Sequence, residues 1–118
     1  MTAITTQYQD SRCENISATI ANAATESAAI DISGTTLVGF IVPATFQGTS
    51  ITFEVSVDGA TFHALDDYLG NTVTISNITA GNAVNWQKTD LSPWQYLKLI
   101  AGSAQTSNIS IQCICEPS

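Results

Sequence analysis

Charged residues are scarce in this chain. Only 11% of the 118 residues are charged, which is less than half of the usual share of about 25%. Ten acids face three cations, Arg12, Lys88 and Lys98, so the net charge is -7. Nucleic-acid affinity depends on Lys and Arg that neutralise a run of phosphates. We therefore expect no binding to DNA or RNA, and we interpret the scattered acids as a solubilising surface charge.

Long apolar runs are also absent from the sequence. No run approaches the ~20 residues of a spanning helix, and the N-terminal segment lacks the basic start and apolar centre of a signal peptide. We expect no membrane role and synthesis in a reducing cytoplasm. Three cysteines, Cys13, Cys113 and Cys115, cannot all pair within one chain. Free thiols are expected, or else a disulfide from Cys13 to Cys113 or Cys115 if the first and last strands are neighbours.

Groups that carry chemistry are few. His63 is the single histidine, and it follows Phe62 in an alternating segment, so its side chain is expected to face solvent rather than a nucleophile. Asp58, Asp66 and Asp67 could meet in a calcium site. Their spacing lacks a regular ligand ladder, so we interpret them as turn formers. The sequence therefore predicts no catalytic residue, no metal and no cofactor, and a protein that is not an enzyme.

Two-residue alternation is the strongest positive signal. Apolar residues occupy every second position at the start of one segment: Ile51, Phe53, Val55 and Val57. This period is typical of a half-buried strand. Asp58-Gly59 then predicts a tight hairpin whose return strand starts at residues 60–62.

Turn signals separate further strand candidates along the chain. With 51–57, the candidates are residues 16–20, 28–32, 37–42, 72–78, 84–86, 96–100 and 108–115. The alanine-rich residues 16–27 could instead form a turn or two of helix. About eight short strands predict an all-β protein, a single-domain antiparallel β-sandwich of jelly-roll type. We place this domain at residues 16–118, after a polar arm at residues 1–15.

Two groups of apolar side chains are candidates for binding. The nearly continuous apolar strand 37–42 is either a core strand or a contact surface. The possible interface comprises Leu37, Phe40, Val42, Pro43 and Phe46. The polar arm is a second possible contact, since such arms often order on a partner. The aromatic residues Trp86, Trp94 and Tyr96 either close the core or form a platform for sugar rings.

Several segments carry a resemblance to a known family. They are Ala29–Ile32, Leu37–Phe40, Val42–Phe46, Ile51–Gly59 with Phe62, and Trp94–Leu99 with Gly102-Ser103. From about residue 28 to residue 113, the chain resembles small β-sandwich virion proteins of tailed bacteriophages, of the head decoration or cement type.

This resemblance implies a structural protein on the capsid surface of the virion, made in the host cytoplasm. Its implied partner is the major capsid protein, and its implied state is a homo-oligomer. A trimer is favoured because it matches the local symmetry axes of a capsid. The alternative function is a carbohydrate- or receptor-binding module of a phage fibre or tail.

Overall fold

A computed structural model describes residues 14–85 and 94–117, and these residues form eight strands and no helix. The strands are β1 (Glu14–Ile20), β2 (Ile30–Asp31), β3 (Thr35–Ile41), β4 (Ile51–Ser56), β5 (His63–Ala64), β6 (Ala83–Asn85), β7 (Tyr96–Ala101) and β8 (Ile109–Pro117). Nothing in this part of the chain is a helix that could span a bilayer. The all-β prediction is confirmed.

The strands form two four-stranded sheets. Sheet I has the order β1-β8-β3-β6, and sheet II has the order β2-β7-β4-β5. The antiparallel pairs β1/β8, β2/β7, β3/β6 and β4/β5 are those of one long hairpin with β4 and β5 at its tip. Successive pairs alternate between the two sheets, so the hairpin wraps around a shared core. This is the jelly-roll arrangement, as predicted.

The core lies between the two sheets and follows from the strand period. In β7, Leu97, Leu99 and Ala101 are buried, while the residues between them are half-buried on the outer face. The inward residues of β8 are Ile109, Ile111, Cys113 and Cys115, all buried. Phe40 and Phe53 are the largest fully buried side chains among the described residues.

The helix alternative and one strand prediction differ from the observed structure. Residues 16–27 do not form a helix, because β1 starts at Glu14 and pairs with β8 up to Ile20. Residues 72–78 do not form a continuous strand. Ile75 exchanges two backbone hydrogen bonds with Ile51, of 2.9 and 3.0 Å, but β5 occupies the edge of β4 farther along.

The hairpin after β4 is wider than predicted. Residues 57–62 separate β4 from β5, so the return strand begins at His63. The Ser56 hydroxyl accepts hydrogen bonds from the backbone N–H groups of Asp58 (3.2 Å) and Gly59 (2.9 Å), which turns the chain immediately after β4. Val57 therefore does not join the core and is 67% exposed.

Candidate functional site

Four connections meet at one end of the sandwich, which we call the loop end. They are residues 21–29, 42–50, 65–82 and 102–108, because the connections after β1, β3, β5 and β7 all leave the antiparallel sheets on the same side. The Asn22 N–H donates to the Asn108 side-chain oxygen at 2.8 Å. These connections therefore form one surface rather than four separate loops.

Gln105 holds three of these connections together. Its side chain is only 2% exposed. Its Oε1 accepts the Gln47 N–H at 2.9 Å, and its Nε2 donates to the carbonyl oxygens of Gln47 at 3.0 Å and Ser103 at 3.1 Å. The Gln105 backbone adds hydrogen bonds with Ala23 and Ala24, of 2.8 and 3.0 Å. A buried amide with these partners satisfied fixes the loop geometry.

The fourth connection, residues 65–82, is tied down at its base. Backbone hydrogen bonds join Ile78 to Thr49 at 2.9 Å and Gly81 to Pro43 at 3.2 Å. The Ile78 side chain is buried in the core. The outer part of this connection therefore projects from a fixed base.

Residues 66–72, which we call the Tyr68 tip, form a tight turn around Asp67. The Asp67 carboxylate accepts the backbone N–H groups of Leu69 and Asn71, both at 2.9 Å. The Asp67 backbone also bonds to Asn71 at 2.7 Å and to Gly70 at 3.0 Å. Gly70 has a φ of 85°, a value that glycine adopts without strain. Four hydrogen bonds thus define the conformation of the tip.

The tip exposes two large apolar side chains. Tyr68 is 96% exposed and Leu69 is 69% exposed. The other large exposed hydrophobic residues in the described part of the chain are Ile41, at the end of β3, and Val57, directly after β4. The sequence showed only a turn cluster here. The signal that was missed is the position of Tyr68 and Leu69 between the turn formers Asp67 and Gly70. Side chains within a surface turn cannot reach the core, so apolar residues there remain exposed.

A second carboxylate-centred turn lies at the opposite end. The Asp58 carboxylate accepts the N–H groups of Ala60 at 2.9 Å and Thr61 at 3.0 Å, and the Ser56 hydroxyl donates to it at 2.9 Å. The hydrogen bond from Thr61, followed by those from Ala60 and Ser56, lowers the pKa of Asp58 to about 2. The role of Asp58 is therefore to close the turn.

The calcium alternative is not supported by this arrangement. Asp58 lies at one end of the sandwich, whereas Asp66 and Asp67 lie at the loop end. Within residues 14–85 and 94–117, no three His, Cys, Asp or Glu side chains are grouped to hold a metal ion. Asp58 and Asp67 are turn formers, as interpreted from the sequence.

Replacing Asp58 with Asn is expected to change the pH dependence of stability. The folded state lowers the pKa of Asp58 from 3.8 to about 2, so its charge stabilises the fold above pH 4 and ceases to do so as the pH falls through about 2. Thermal melts should therefore show a gap between wild type and Asp58→Asn that narrows over this range. Asp66→Asn is the matched control, and a gap that is independent of pH would contradict the assignment.

The outer face of sheet II carries a charged cluster around Lys98. The Lys98 ammonium lies 3.3 Å from a Glu26 carboxylate oxygen and 4.5 Å from the centre of the Phe62 ring. Glu54 pairs with Lys98 across β4 and β7. Burial, and then a hydrogen bond with Glu26, raises the pKa of Glu54. The one described cation is therefore neutralised by its neighbours.

The structure places most of the predicted interface in the core. Leu37, Phe40, Val42 and Phe46 are buried, and Pro43 is half-buried. A register shift between Leu37 and Gly39 explains why Leu37 and Phe40 both face inward although three positions separate them. These four side chains fill the sandwich, as the core-strand alternative requires, and a contact through Pro43 stays a prediction.

The structure describes two of the three aromatic residues of the possible platform, Trp94 and Tyr96. Trp94 is half-buried and packs against the core. Tyr96 is half-buried on sheet II, and its ring lies against Gly59. A Cβ added to that glycine would be 3.3 Å from the ring. Trp86 lies outside the described residues. His63 is exposed, as expected.

The structure describes two of the three cysteines. Cys113 and Cys115 are buried in β8, and burial, followed by the nearby Cys115, raises the pKa of Cys113 to about 12. The first and last strands are neighbours, as the disulfide alternative requires. Cys13 and the rest of the predicted arm before Glu14 lie outside the described residues, so that pairing stays a prediction.

Comparisons with known proteins leave the family open. No protein-family model matches the chain, and no curated protein matches it. Among solved structures, the chain is similar to CBM32-1 from a family 31 glycoside hydrolase of Clostridium perfringens, with a TM-score of 0.49 and 13% identity over 86% of this chain and 76% of that chain. A similarity of this size does not assign a function.

Proposed function

We propose that the protein is a structural, non-enzymatic virion protein of a tailed bacteriophage. It is a capsid decoration or cement protein that binds the outer capsid surface and stabilises the shell. The observation that carries this proposal is the loop end, where Gln105 fixes three connections and the fourth connection exposes Tyr68 and Leu69. The resemblance of residues 28–113 to decoration proteins supports the same role.

The fold does not distinguish a capsid-binding protein from a carbohydrate-binding protein, so the proposal depends on the surface. Jelly rolls occur both in viral capsid proteins and in lectins. A preformed contact surface binds without the entropy cost of ordering loops. Weak contacts by many copies on a repeated surface add up through avidity. A rigid loop end with exposed apolar groups suits such repeated adhesion.

Charge and symmetry complete the proposal. The net charge of -7 is unfavourable for contact with packaged DNA and suits a position on the outside of the shell. The major capsid protein is the partner. A homo-oligomer, with a trimer favoured, would match the local axes of a capsid and multiply the contacts.

The test uses capsid shells that lack this protein. Purified protein should co-sediment with the shells and saturate at a fixed copy number, and mass spectrometry should find it in intact virions. Virions without it should break more readily under heat or osmotic stress. An unrelated acidic protein of similar size is the control. Sedimentation no greater than that control, together with absence from virions, would contradict the proposal.

A second candidate is the carbohydrate- or receptor-binding module. The favouring observation is that Tyr96, half-buried on the outer face of sheet II, lies opposite Asp31 in the β2/β7 pair. Side chains that are paired in this way are neighbours on one face of a sheet, and ligand sites combine aromatic surface with a few placed polar groups. A glycan array should then show binding that Tyr96→Ala removes and that Tyr68→Ala, at the loop end, leaves intact. An array without binding excludes glycans as the ligand.

A further inference from the structure

We propose that Tyr68 and Leu69 are the anchor of the capsid contact, and that they enter an apolar pocket with a basic rim on the capsid protein. The inference rests on the proposed function and names the residues and the partner chemistry that this function requires. It assigns binding to the Tyr68 tip rather than to the apolar strand 37–42.

Exposure and rigidity together make the tip an anchor. Tyr68 at 96% and Leu69 at 69% exposure have most of their surface still to bury. Interface energy is concentrated in a few residues that fill pockets, and Tyr is enriched among them. Because the Asp67 hydrogen bonds already fix the turn, docking requires little ordering of the backbone.

The negative charge beside the Tyr68 tip indicates which residues should surround the pocket on the partner. The exposed Asp66 and the half-buried Asp67 stand beside the apolar pair, in a chain of net charge -7. A complementary surface therefore carries Lys or Arg around its apolar centre. Anionic membrane surfaces would repel this tip.

A second copy of the chain fits this requirement poorly. Within residues 14–85 and 94–117, Lys98 is the one cation, and it already pairs with Glu26 at 3.3 Å on the outer face of sheet II. A neighbouring copy could not supply a basic rim from those residues. The whole sequence has only three cations against ten acids, so a basic surface on a different protein matches the tip better than a second copy does. The shell surface is the one that the proposed function provides.

The tip can be altered without disturbing its turn. The double variant Tyr68→Ser, Leu69→Ser removes both apolar groups but keeps the backbone N–H of Leu69 that bonds to Asp67. Val57→Ser is the matched control, because Val57 is 67% exposed at the opposite end. Circular dichroism should show the same fold for both variants.

Co-sedimentation with capsid shells that lack the protein gives the dissociation constants. Loss of the tip side chains is expected to weaken binding by about 30-fold or more, whereas Val57→Ser should stay within about twofold. Binding of the wild type should weaken at high salt, since salt screens the basic rim. These three results together support the inference.

Three other results would overturn it, and they differ from one another. If the wild type binds and the tip variant binds equally well, the anchor is wrong while the proposed function stands. If the wild type does not bind shells, the proposed function fails and the anchor fails with it. If the tip substitutions change only self-association of the protein alone or binding to zwitterionic vesicles, the occupant is a second copy or a lipid surface.

Discussion

Leu99→Ala is expected to lower the free energy of unfolding by about 3–5 kcal/mol, the cost of lost burial plus a residual cavity. Leu99 is 0% exposed and lies opposite Phe53 in the β4/β7 pair, at the centre of the sandwich. Urea unfolding, monitored by circular dichroism, measures this change in free energy. The slope of the free energy of unfolding against urea concentration should be the same for both proteins.

Leu69→Ala is the matched control for this substitution. It removes the same atoms from a side chain that is 69% exposed, so the free energy of unfolding should change by less than about 0.5 kcal/mol. Equal effects at the two positions would contradict the burial of Leu99 between the sheets.

Gln105→Met is expected to cost about 2–3 kcal/mol of stability, since the Met side chain has a similar volume but cannot make the hydrogen bonds that join residues 42–50 to residues 102–108 at the loop end. The Gln47 N–H and the Gln47 and Ser103 carbonyl oxygens lose their side-chain partner. Differential scanning calorimetry should show a Tm lower by roughly 10 °C. Hydrogen exchange at the Gln47 amide should become faster.

Gln112→Met is the matched control for the loop end. Gln112 is exposed on β8, and its side chain makes one hydrogen bond of 3.3 Å to Asn15. Its substitution should change the Tm by only a degree or two. A similar Tm for the two variants would show that Gln105 does not hold the loops together.

Strand period and burial could be predicted from the sequence because they depend on neighbouring residues. Alternation in 51–55 places Ile51, Phe53 and Val55 in the core. The same rule gives the buried and half-buried positions of β7. Eight such strands and few helix formers are enough to predict a sandwich.

The conformation of the turns could not be predicted from the two-residue alternation, because it depends on individual side-chain hydrogen bonds. The Ser56 hydroxyl captures two backbone N–H groups, so the chain leaves the sheet before the Asp58-Gly59 pair. The register shift in β3 likewise sets which apolar residues face inward. Because the sequence does not reveal this shift, it allows residues 37–42 to be interpreted either as a core strand or as a contact surface.

The candidate site could not be predicted because its parts are distant in sequence. Gln105 bonds to Gln47, 58 positions away, and Gln is ordinarily an exposed residue type. The exposure of Tyr68 and Leu69 depends equally on the fold, since alternation alone assigns apolar residues to the core. The sequence thus identified the turn but not what it presents.

Electron cryomicroscopy of capsid shells saturated with the protein tests the central claim most directly. The account predicts a stiff jelly roll at a fixed number of copies on the outer surface, with the loop end and the Tyr68 tip against the shell and the Asp58 turn pointing outward. Shells that remain bare, or a protein attached through the Asp58 end, would contradict it.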